Sequence, residues 1–173
     1  RSGVGKSVTL KHILGFLQPD AGQVYVAGRH VEPMTEKELR EMRQRVTMVF
    51  QSGALFDSLT VGENVAYPLR ERAERGFVLS EEQIQARVDE LLSLVELEGM
   101  QARMPSDLST GMKRAVAIAR ALAAEPEAIL YDEPTTMVDP VMSLTIGDLI
   151  LKLKRQTGLT SLVVTHDMKL ARK

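Results

Sequence analysis

The first seven residues carry the clearest chemistry in the sequence. They read Arg-Ser-Gly-Val-Gly-Lys-Ser, which is most of a phosphate-binding loop of the form G-x-x-x-x-G-K-[ST]. Glycines in such a loop let backbone N–H groups turn towards a phosphate, and the following helix offers its positive N-terminus to the same anion. We expect Lys6 to reach the terminal phosphates and Ser7 to join the ligands of Mg²⁺. A Gly-Lys-Ser tripeptide also occurs in ordinary helix-capping turns, so the loop needs support from the rest of the chain.

Four polar residues elsewhere stand directly after short apolar segments. They are Gln51 after residues 46–50, Asp132 and Glu133 after residues 128–131, and His166 after residues 161–165. Ligands bind at the carboxyl ends of the strands in open α/β sheets, so we expect these side chains near the phosphate loop. Asp132 has the placement of a carboxylate that holds Mg²⁺, and Glu133 that of a general base for an attacking water. The alternative, a solvated turn at the end of a strand, is weaker because a phosphate loop precedes it.

The elements that must position these residues follow from the apolar pattern and the capping residues. A helix with apolar residues at helical spacing follows Ser7. Capping boxes at Thr35 and Ser80 open two more helices, Ser109 has the type of an N-cap, and Asp139 followed by proline begins a further helix. The predicted strands are 23–26, 46–50, 128–131 and 161–165. Strands that alternate with helices indicate an α/β domain with a largely parallel sheet.

Three further regions of the sequence carry predictions of their own. Residues 52–69 read as a loop-rich stretch that is unusually apolar, and they either pack internally or face a partner. Lys113 and Arg114 read as two solvated charges on an exposed turn. Residues 161–165 are predicted to be a buried strand.

The composition excludes several classes of protein. The chain has 173 residues, 44% of them hydrophobic and 26% charged, as expected for one globular domain. Its net charge of −1 argues against a broad nucleic-acid footprint, and the absence of cysteine excludes disulfides and thiolate metal sites. No apolar run approaches the roughly 20 residues that span a bilayer. We expect the chain to be a fragment of a longer domain, shortened at both ends.

In their order along the chain, the motifs resemble those of the ATP-binding cassette (ABC) ATPases. Besides the phosphate loop, or Walker A motif, the matches are Gln51 for the Q-loop, Leu108–Met112 for the signature motif L-S-G-G-Q, Ile129–Glu133 for Walker B, Thr136–Asp139 for the D-loop and His166 for the switch histidine. The resemblance implies a P-loop NTPase fold with a mainly parallel core sheet and a helical signature subdomain. It places the catalytic core at residues 1–51 and 125–173, and the helical subdomain at about 52–124.

The resemblance also implies a role for each matching residue. The phosphate contacts would come from Ser2, Gly3, Val4, Gly5, Lys6, Ser7 and Val8. Mg²⁺ would be held by Ser7, Gln51 and Asp132, while Glu133, Gln51 and His166 would serve catalysis, with His166 sensing the γ-phosphate. In this family two cassettes enclose two ATP molecules, so Ser109 and Gly111 would contact the ATP held by a partner subunit. Thr110 and Met112 depart from the common signature, and a β-branched residue at Thr110 would be strained if the position required a positive φ.

The run from Phe50 to Val61, continued by Glu63–Arg70, is similar to the Mla/Mce-associated ATPases of bacterial lipid transport. This resemblance implies ATP hydrolysis that moves phospholipid or another hydrophobic substrate, and a homodimer on the cytoplasmic face of the inner membrane. It further implies an integral-membrane permease that docks near Gln51–Leu69, with a Mce-domain lipid-binding protein as a further partner. The alternatives are an importer cassette for amino acids or ions and, less favoured by the near-neutral charge, a cassette that acts on nucleic acid or translation.

Overall fold

A three-stranded parallel sheet forms the centre of the fold. The structure is a computed structural model that describes residues 5–73 and 79–172. The strands are β3 (Val46–Val49), β4 (Ala128–Asp132) and β5 (Thr160–Val164), in the spatial order β3-β4-β5. Val49 pairs with Tyr131, and Asp132 pairs with Val164. Because the strands are parallel, the residues that follow them lie at one edge of the sheet, as the sequence predicts.

A two-stranded antiparallel hairpin and seven α-helices accompany this sheet in the described residues. The hairpin joins β1 (Tyr25–Val26) to β2 (Arg29–His30), so the predicted strand 23–26 is shorter than expected. The helices are α1 (Lys6–Ile13), α2 (Glu36–Arg45), α3 (Val61–Ala73), α4 (Glu81–Leu94), α5 (Thr110–Ala123), α6 (Pro140–Thr157) and α7 (Met168–Ala171), with a 3₁₀ turn at Pro105–Asp107. Capping boxes at Thr35 and Ser80 open α2 and α4 as predicted.

The prediction of a loop-rich segment at residues 52–69 is wrong for its second half, because Val61–Ala73 is the helix α3. Thr60 and Glu63 form a reciprocal pair of hydrogen bonds at its start, with Thr60 N donating to Glu63 Oε2 at 2.7 Å and Glu63 N donating to Thr60 Oγ1 at 3.2 Å. This capping box is visible in the sequence. Pro68 lies inside the helix and obscured it, since an internal proline normally argues against a helix.

The sheet separates two hydrophobic clusters because successive side chains of a strand point to opposite faces. Leu130 packs with residues of α1 and α2, including Leu10 and Met42. Ile129 and Tyr131 pack on the other face in a larger cluster that includes residues of α3, α4, α5 and α6. The prediction that residues 161–165 form a buried strand is wrong in part, because β5 is an edge strand of the described sheet and its residues range from half-buried to exposed.

The helices α3, α4 and α5 pack against one another, and α5 also contacts β3 and α6. The helix α5 therefore connects the helical part of the chain to the sheet. The division into a catalytic core and a helical subdomain at 52–124 stays a prediction. None of the helices in the described residues is both long and apolar enough to cross a membrane.

Candidate functional site

The start of α1 has the geometry of an anion-binding turn. Gly5 is the N-cap residue and has φ of +87°, a left-handed conformation that favours glycine. A Cβ added at Gly5 would meet no other atom within 4 Å, so backbone conformation rather than space explains this glycine. Lys6 and Ser7 begin the helix, and Val8 is exposed. The predicted phosphate contacts of Ser2, Gly3 and Val4 lie outside the described residues.

Ser7 and Asp132 meet although they are 125 residues apart in the sequence. The Ser7 hydroxyl donates to Asp132 Oδ1 at 2.7 Å, and Asp132 is buried at the end of β4. The sequence predicted both residues as ligands of Mg²⁺, and the fold places their oxygens side by side.

Glu133 is the centre of the site. Lys6 Nζ lies 3.0 Å from Glu133 Oε1, while Glu133 Oε2 accepts a hydrogen bond from the backbone N–H of His166 at 3.1 Å and lies 2.7 Å from His166 Nδ1. The Thr136 hydroxyl donates to the same Oε2 at 3.3 Å. Glu133 itself adopts φ of +48°, which is uncommon for a residue other than glycine. The predicted general base and the switch histidine are therefore in contact.

Two opposing effects act on the Glu133 carboxyl. Burial raises its pKa, because removal from water disfavours the charged form. Hydrogen bonds from Lys6 and His166, together with the nearby charge of His166, stabilise the carboxylate and outweigh the burial. The net pKa of Glu133 lies below its ordinary value, so the group is an ionised acceptor at neutral pH.

Gln51 is at the predicted edge of the sheet but not in the cluster. It is an exposed turn residue just after β3, the strand next to β4. Within the described part of the chain, no hydrogen bond joins Gln51 to Asp132 or Glu133. Its assignment to catalysis and to Mg²⁺ therefore stays a prediction.

The signature residues lie at the N-terminus of α5. Ser109 is the N-cap, and its hydroxyl accepts from the Met112 N–H at 3.2 Å, as its residue type predicted. Thr110 takes the first helical position of α5. It is not one of the described residues that have a positive φ, so the strain considered for it does not arise. Gly111 is buried against α6, where an added Cβ would lie 2.3 Å from Met142 Cγ. In the described residues of this single chain, neither Ser109 nor Gly111 is bonded to the Glu133 cluster.

The interpretation of Arg114 as a solvated charge is wrong. The residue is only 3% exposed, and its guanidinium reaches two backbone carbonyls rather than water. The sequence contains a signal for this burial. Arg114 lies between Ala115 and Gly111, both buried, near the start of an apolar helix, so it could not lie on an exposed turn. Thr136 is a second residue near the site whose role sequence reasoning missed.

The apolar segment after Gln51 is partly buried and partly exposed. Val61, Val65 and Leu69 enter the core, whereas Phe56 and Tyr67 remain exposed, with their ring centroids 4.8 Å apart and their planes inclined at 45°. These two rings line an open groove of about 680 Å³ between α2, β3, α3 and α5. Internal packing therefore holds for part of this segment, and a partner at its exposed rings stays a prediction.

A buried asparagine fixes the loop beside this groove. Asn64 is 0% exposed; its side-chain amide donates to the carbonyls of Phe56, Leu59 and Thr60, and its oxygen accepts from Phe56 N at 2.9 Å. Arg120 donates to the carbonyls of Gly53 and Ala54 at 3.0 and 2.8 Å. The loop is thus held by side chains of α3 and α5.

The donor set fits a magnesium ion only in part. Mg²⁺ prefers hard oxygen ligands and is commonly bound by one or two carboxylates together with substrate phosphates. Ser7 and Asp132 supply two adjacent oxygens of this kind. No group of three or more His, Cys, Asp or Glu that could hold a metal exists among the described residues. The pair therefore fits an ion that takes its remaining ligands from phosphate and water.

The fold and the residues at the carboxyl ends of its parallel strands define a P-loop NTPase of the cassette type. The sequence of residues 1–136 matches the ABC transporter family, and the chain belongs to this family. It is 43% identical over 168 residues to the intermembrane phospholipid transport system ATP-binding protein MlaF of Haemophilus influenzae, covering 97% of this chain and 62% of that protein. It is also 43% identical over 172 residues to the methionine import ATP-binding protein MetN of Geobacillus kaustophilus, covering 99% of this chain and 49% of that protein.

A solved structure supports the same fold. The dimeric ATP-binding cassette MJ0796, in a post-hydrolysis state bound to ADP and Pi, superposes with a TM-score of 0.89 at 37% identity, covering 99% of this chain and 74% of that one. The predicted fold class and family resemblance are confirmed. The chain spans about half to two thirds of the length of the curated relatives it matches.

Proposed function

We propose that the complete protein is the ATP-binding and ATP-hydrolysing subunit of a bacterial ABC transporter. The observation that carries this proposal is the placement of Glu133, a buried ionised carboxylate held between Lys6 and His166 and adjacent to the Ser7–Asp132 pair. The start of α1 and the end of β4 thus bring together an acceptor for a proton and two oxygen ligands for a cation.

In the proposed reaction, Lys6 and the backbone of the phosphate loop hold the β- and γ-phosphates of ATP. Glu133 orients the attacking water and accepts its proton, and His166 holds the Glu133 carboxylate and contacts the γ-phosphate. Ser7 and Asp132 would hold Mg²⁺, with Gln51 as a further ligand; the ion would neutralise the charge that develops on the phosphates.

Nucleotide must displace one contact that the structure contains. The Lys6 ammonium is paired with Glu133 at 3.0 Å, and the same ammonium is the group expected to meet the phosphates. When Lys6 turns to a phosphate, Glu133 loses this partner and keeps His166. The carboxylate is then available to a water on the side that Lys6 has left.

The second half of each site would come from a second copy of the chain. Ser109 and Gly111 lie at the N-terminus of α5, where free backbone N–H groups and the helix dipole favour an anion. Since these residues are not bonded to the Glu133 cluster of their own chain in the described residues, a homodimer in which they contact the partner's ATP is the arrangement we propose. The dimeric state of the cassette MJ0796 supports it.

For the transported substrate we propose phospholipid or another hydrophobic molecule. The similarity to MlaF, together with the run from Phe50 to Val61, supports this class. The similarity to MetN supports the alternative of an importer for amino acids or ions. We place the subunit on the cytoplasmic face of the inner membrane. There it would bind a permease through the open groove lined by Phe56 and Tyr67, with a Mce-domain protein as a further component.

Purification of the complete protein from detergent-solubilised membranes tests both the proposed ATP hydrolysis and the proposed class of substrate. We expect Mg²⁺-dependent ATP hydrolysis, and copurification of a permease, a Mce-domain protein and phospholipid. Copurification of a soluble amino-acid-binding protein instead would establish the importer alternative. A complex that binds ATP and never hydrolyses it would refute the enzymatic assignment.

A further inference from the structure

Arg114 is a buried cation that contacts two different segments of the site. Its Nη1 donates to the carbonyl oxygen of Phe50 at 3.4 Å, just before Gln51, and its Nη2 donates to the carbonyl oxygen of Thr136 at 3.5 Å. Its Nε is buried without a hydrogen-bond partner. No carboxylate lies within ion-pair distance of it in the described residues. Burying a charge without an ionic partner costs free energy of folding, so the presence of Arg114 needs a reason other than stability.

The helix that carries Arg114 is in close contact with both segments. A Cβ at Gly53, in the loop after Gln51, would lie 3.4 Å from the carbonyl of Lys113 and 3.5 Å from Arg114 Nη1. At the other side, Gly111 packs directly on Met142 of α6, the helix that follows the D-loop. The start of α5 therefore cannot move without moving one or both of these neighbours, since packed interiors transmit displacement.

The contact with Thr136 leads directly to Glu133. Thr136 N donates to the carbonyl of Glu133 at 3.1 Å, which closes a turn of four residues, and the Thr136 hydroxyl donates to the Glu133 carboxylate at 3.3 Å. Arg114 thus holds the last residue of a turn whose first residue is Glu133. A displacement of Thr136 would change both the backbone and the side chain of Glu133.

We propose that Arg114 is a positioning residue that links the segment around Gln51 and the signature helix to Glu133 through Thr136. This inference rests on the proposed function for its catalytic consequence, but the link itself is a property of the fold. The contacts of 3.4 and 3.5 Å are long, and hydrogen bonds at such sites often tighten only in the reactive complex. Arg114 would therefore align Glu133 when the signature helix engages nucleotide in a dimer.

The first test separates positioning from stability. In Arg114→Met, an apolar side chain of similar length replaces an unpaired buried charge, so the melting temperature should stay equal or rise. The kcat for ATP should fall about tenfold while KM changes less than about twofold, because Glu133 is misaligned and the phosphate contacts remain. Arg114→Lys keeps the charge but lacks the two-pronged guanidinium, so its kcat should lie between those of the wild type and Arg114→Met. The matched control is Lys113→Met on the same turn.

The second test asks whether Arg114 acts through Thr136. Thr136→Val removes the hydroxyl and should lower kcat, and Thr136→Ser should restore it. If the two residues act in series, Arg114→Met combined with Thr136→Val should lose no more activity than the worse single variant. Losses that multiply in the double variant, or a kcat of Arg114→Met within about twofold of wild type, would overturn the proposal.

A third measurement does not depend on hydrolysis. In the nucleotide-free complete protein, Arg114→Met should increase amide hydrogen exchange at residues 50–53 and 135–138 together, while exchange within α4 stays unchanged. Unchanged exchange at both segments refutes the link even if the wild type is an active ATPase. Faster exchange at both segments in a protein that hydrolyses no ATP would support the link and reject the proposed function.

Discussion

The substitution Glu133→Gln tests the central assignment most directly, because it keeps the size of the side chain and removes its charge. The carboxylate accepts from Lys6 on one oxygen and from the His166 and Thr136 groups on the other. An amide has one acceptor oxygen, so it satisfies one of these sides. If the oxygen faces His166 N, the amide N–H₂ faces the Lys6 ammonium, and two donors meet.

The expected loss of stability is small. Lys6 is the partner that must leave, and its side chain is 27% exposed, so it can turn to solvent. A partly exposed ion pair contributes about 1 kcal/mol, which corresponds to a fall of about 2–4 °C in melting temperature for a domain of 150–250 residues. ATP should remove this difference, because Lys6 then has a phosphate for a partner in both proteins.

The expected loss of activity is much larger. A positioned general base contributes about 10²- to 10⁴-fold to the rate, so kcat should fall by at least about 10²-fold while ATP binding is retained or tightened. ATP should therefore accumulate in a stable dimer, visible by size-exclusion chromatography with nucleotide and as bound ATP after rapid desalting. Phosphate release at a near-normal rate by a variant that folds and dimerises would falsify the general-base assignment.

Three further predictions concern the same chain. The pKa of Glu133 is lower in the folded protein than its ordinary value of 4.5, so the folded state binds that proton less readily. The stability that the carboxylate contributes is present above the ordinary pKa and is lost as the pH falls through the lowered one, so the difference in melting temperature between wild type and Glu133→Gln should shrink as the pH falls below 4.5. Asn64→Leu removes the side-chain partner of the Phe56 N–H and of the Leu59 carbonyl, while the carbonyls of Phe56 and Thr60 keep the backbone N–H groups of Leu59 and residue 64. The free energy of unfolding should fall by about 2–4 kcal/mol in urea titrations, whereas a loss below about 1 kcal/mol would mean that water replaces the lost bonds. Thr110→Gly should leave kcat within about twofold, because Thr110 is an ordinary helical residue; an increase of about tenfold would show that the threonine limits the reaction.

Local signals account for most of what the sequence predicted correctly. The capping boxes at Thr35 and Ser80 and the N-caps at Ser109 and Asp139 each act within a few residues, so their chemistry is complete in a short stretch of sequence. The strand positions follow from apolar runs, and the parallel sheet follows from their alternation with helices. The placement of Asp132, Glu133 and His166 at one sheet edge is a consequence of that topology.

Other features depend on contacts between distant segments, and the sequence did not predict them. The helix α3 contains Pro68, and burial of Val61, Val65 and Leu69 stabilises it despite that residue. Tertiary packing also buries Arg114, whose guanidinium reaches the carbonyls of Phe50 and Thr136.

The sequence by itself determined the family, the order of the motifs and the residue types of the site, because each motif is a short pattern whose chemistry depends on spacing along the chain. The tertiary structure alone decided which atoms meet: Ser7 with Asp132, Lys6 and His166 with Glu133, and Arg114 with the carbonyls of two separate segments. The physical reason is that hydrogen bonds and ion pairs act over about 3 Å, a distance that only the packing of α1 and α5 against the ends of the strands can set.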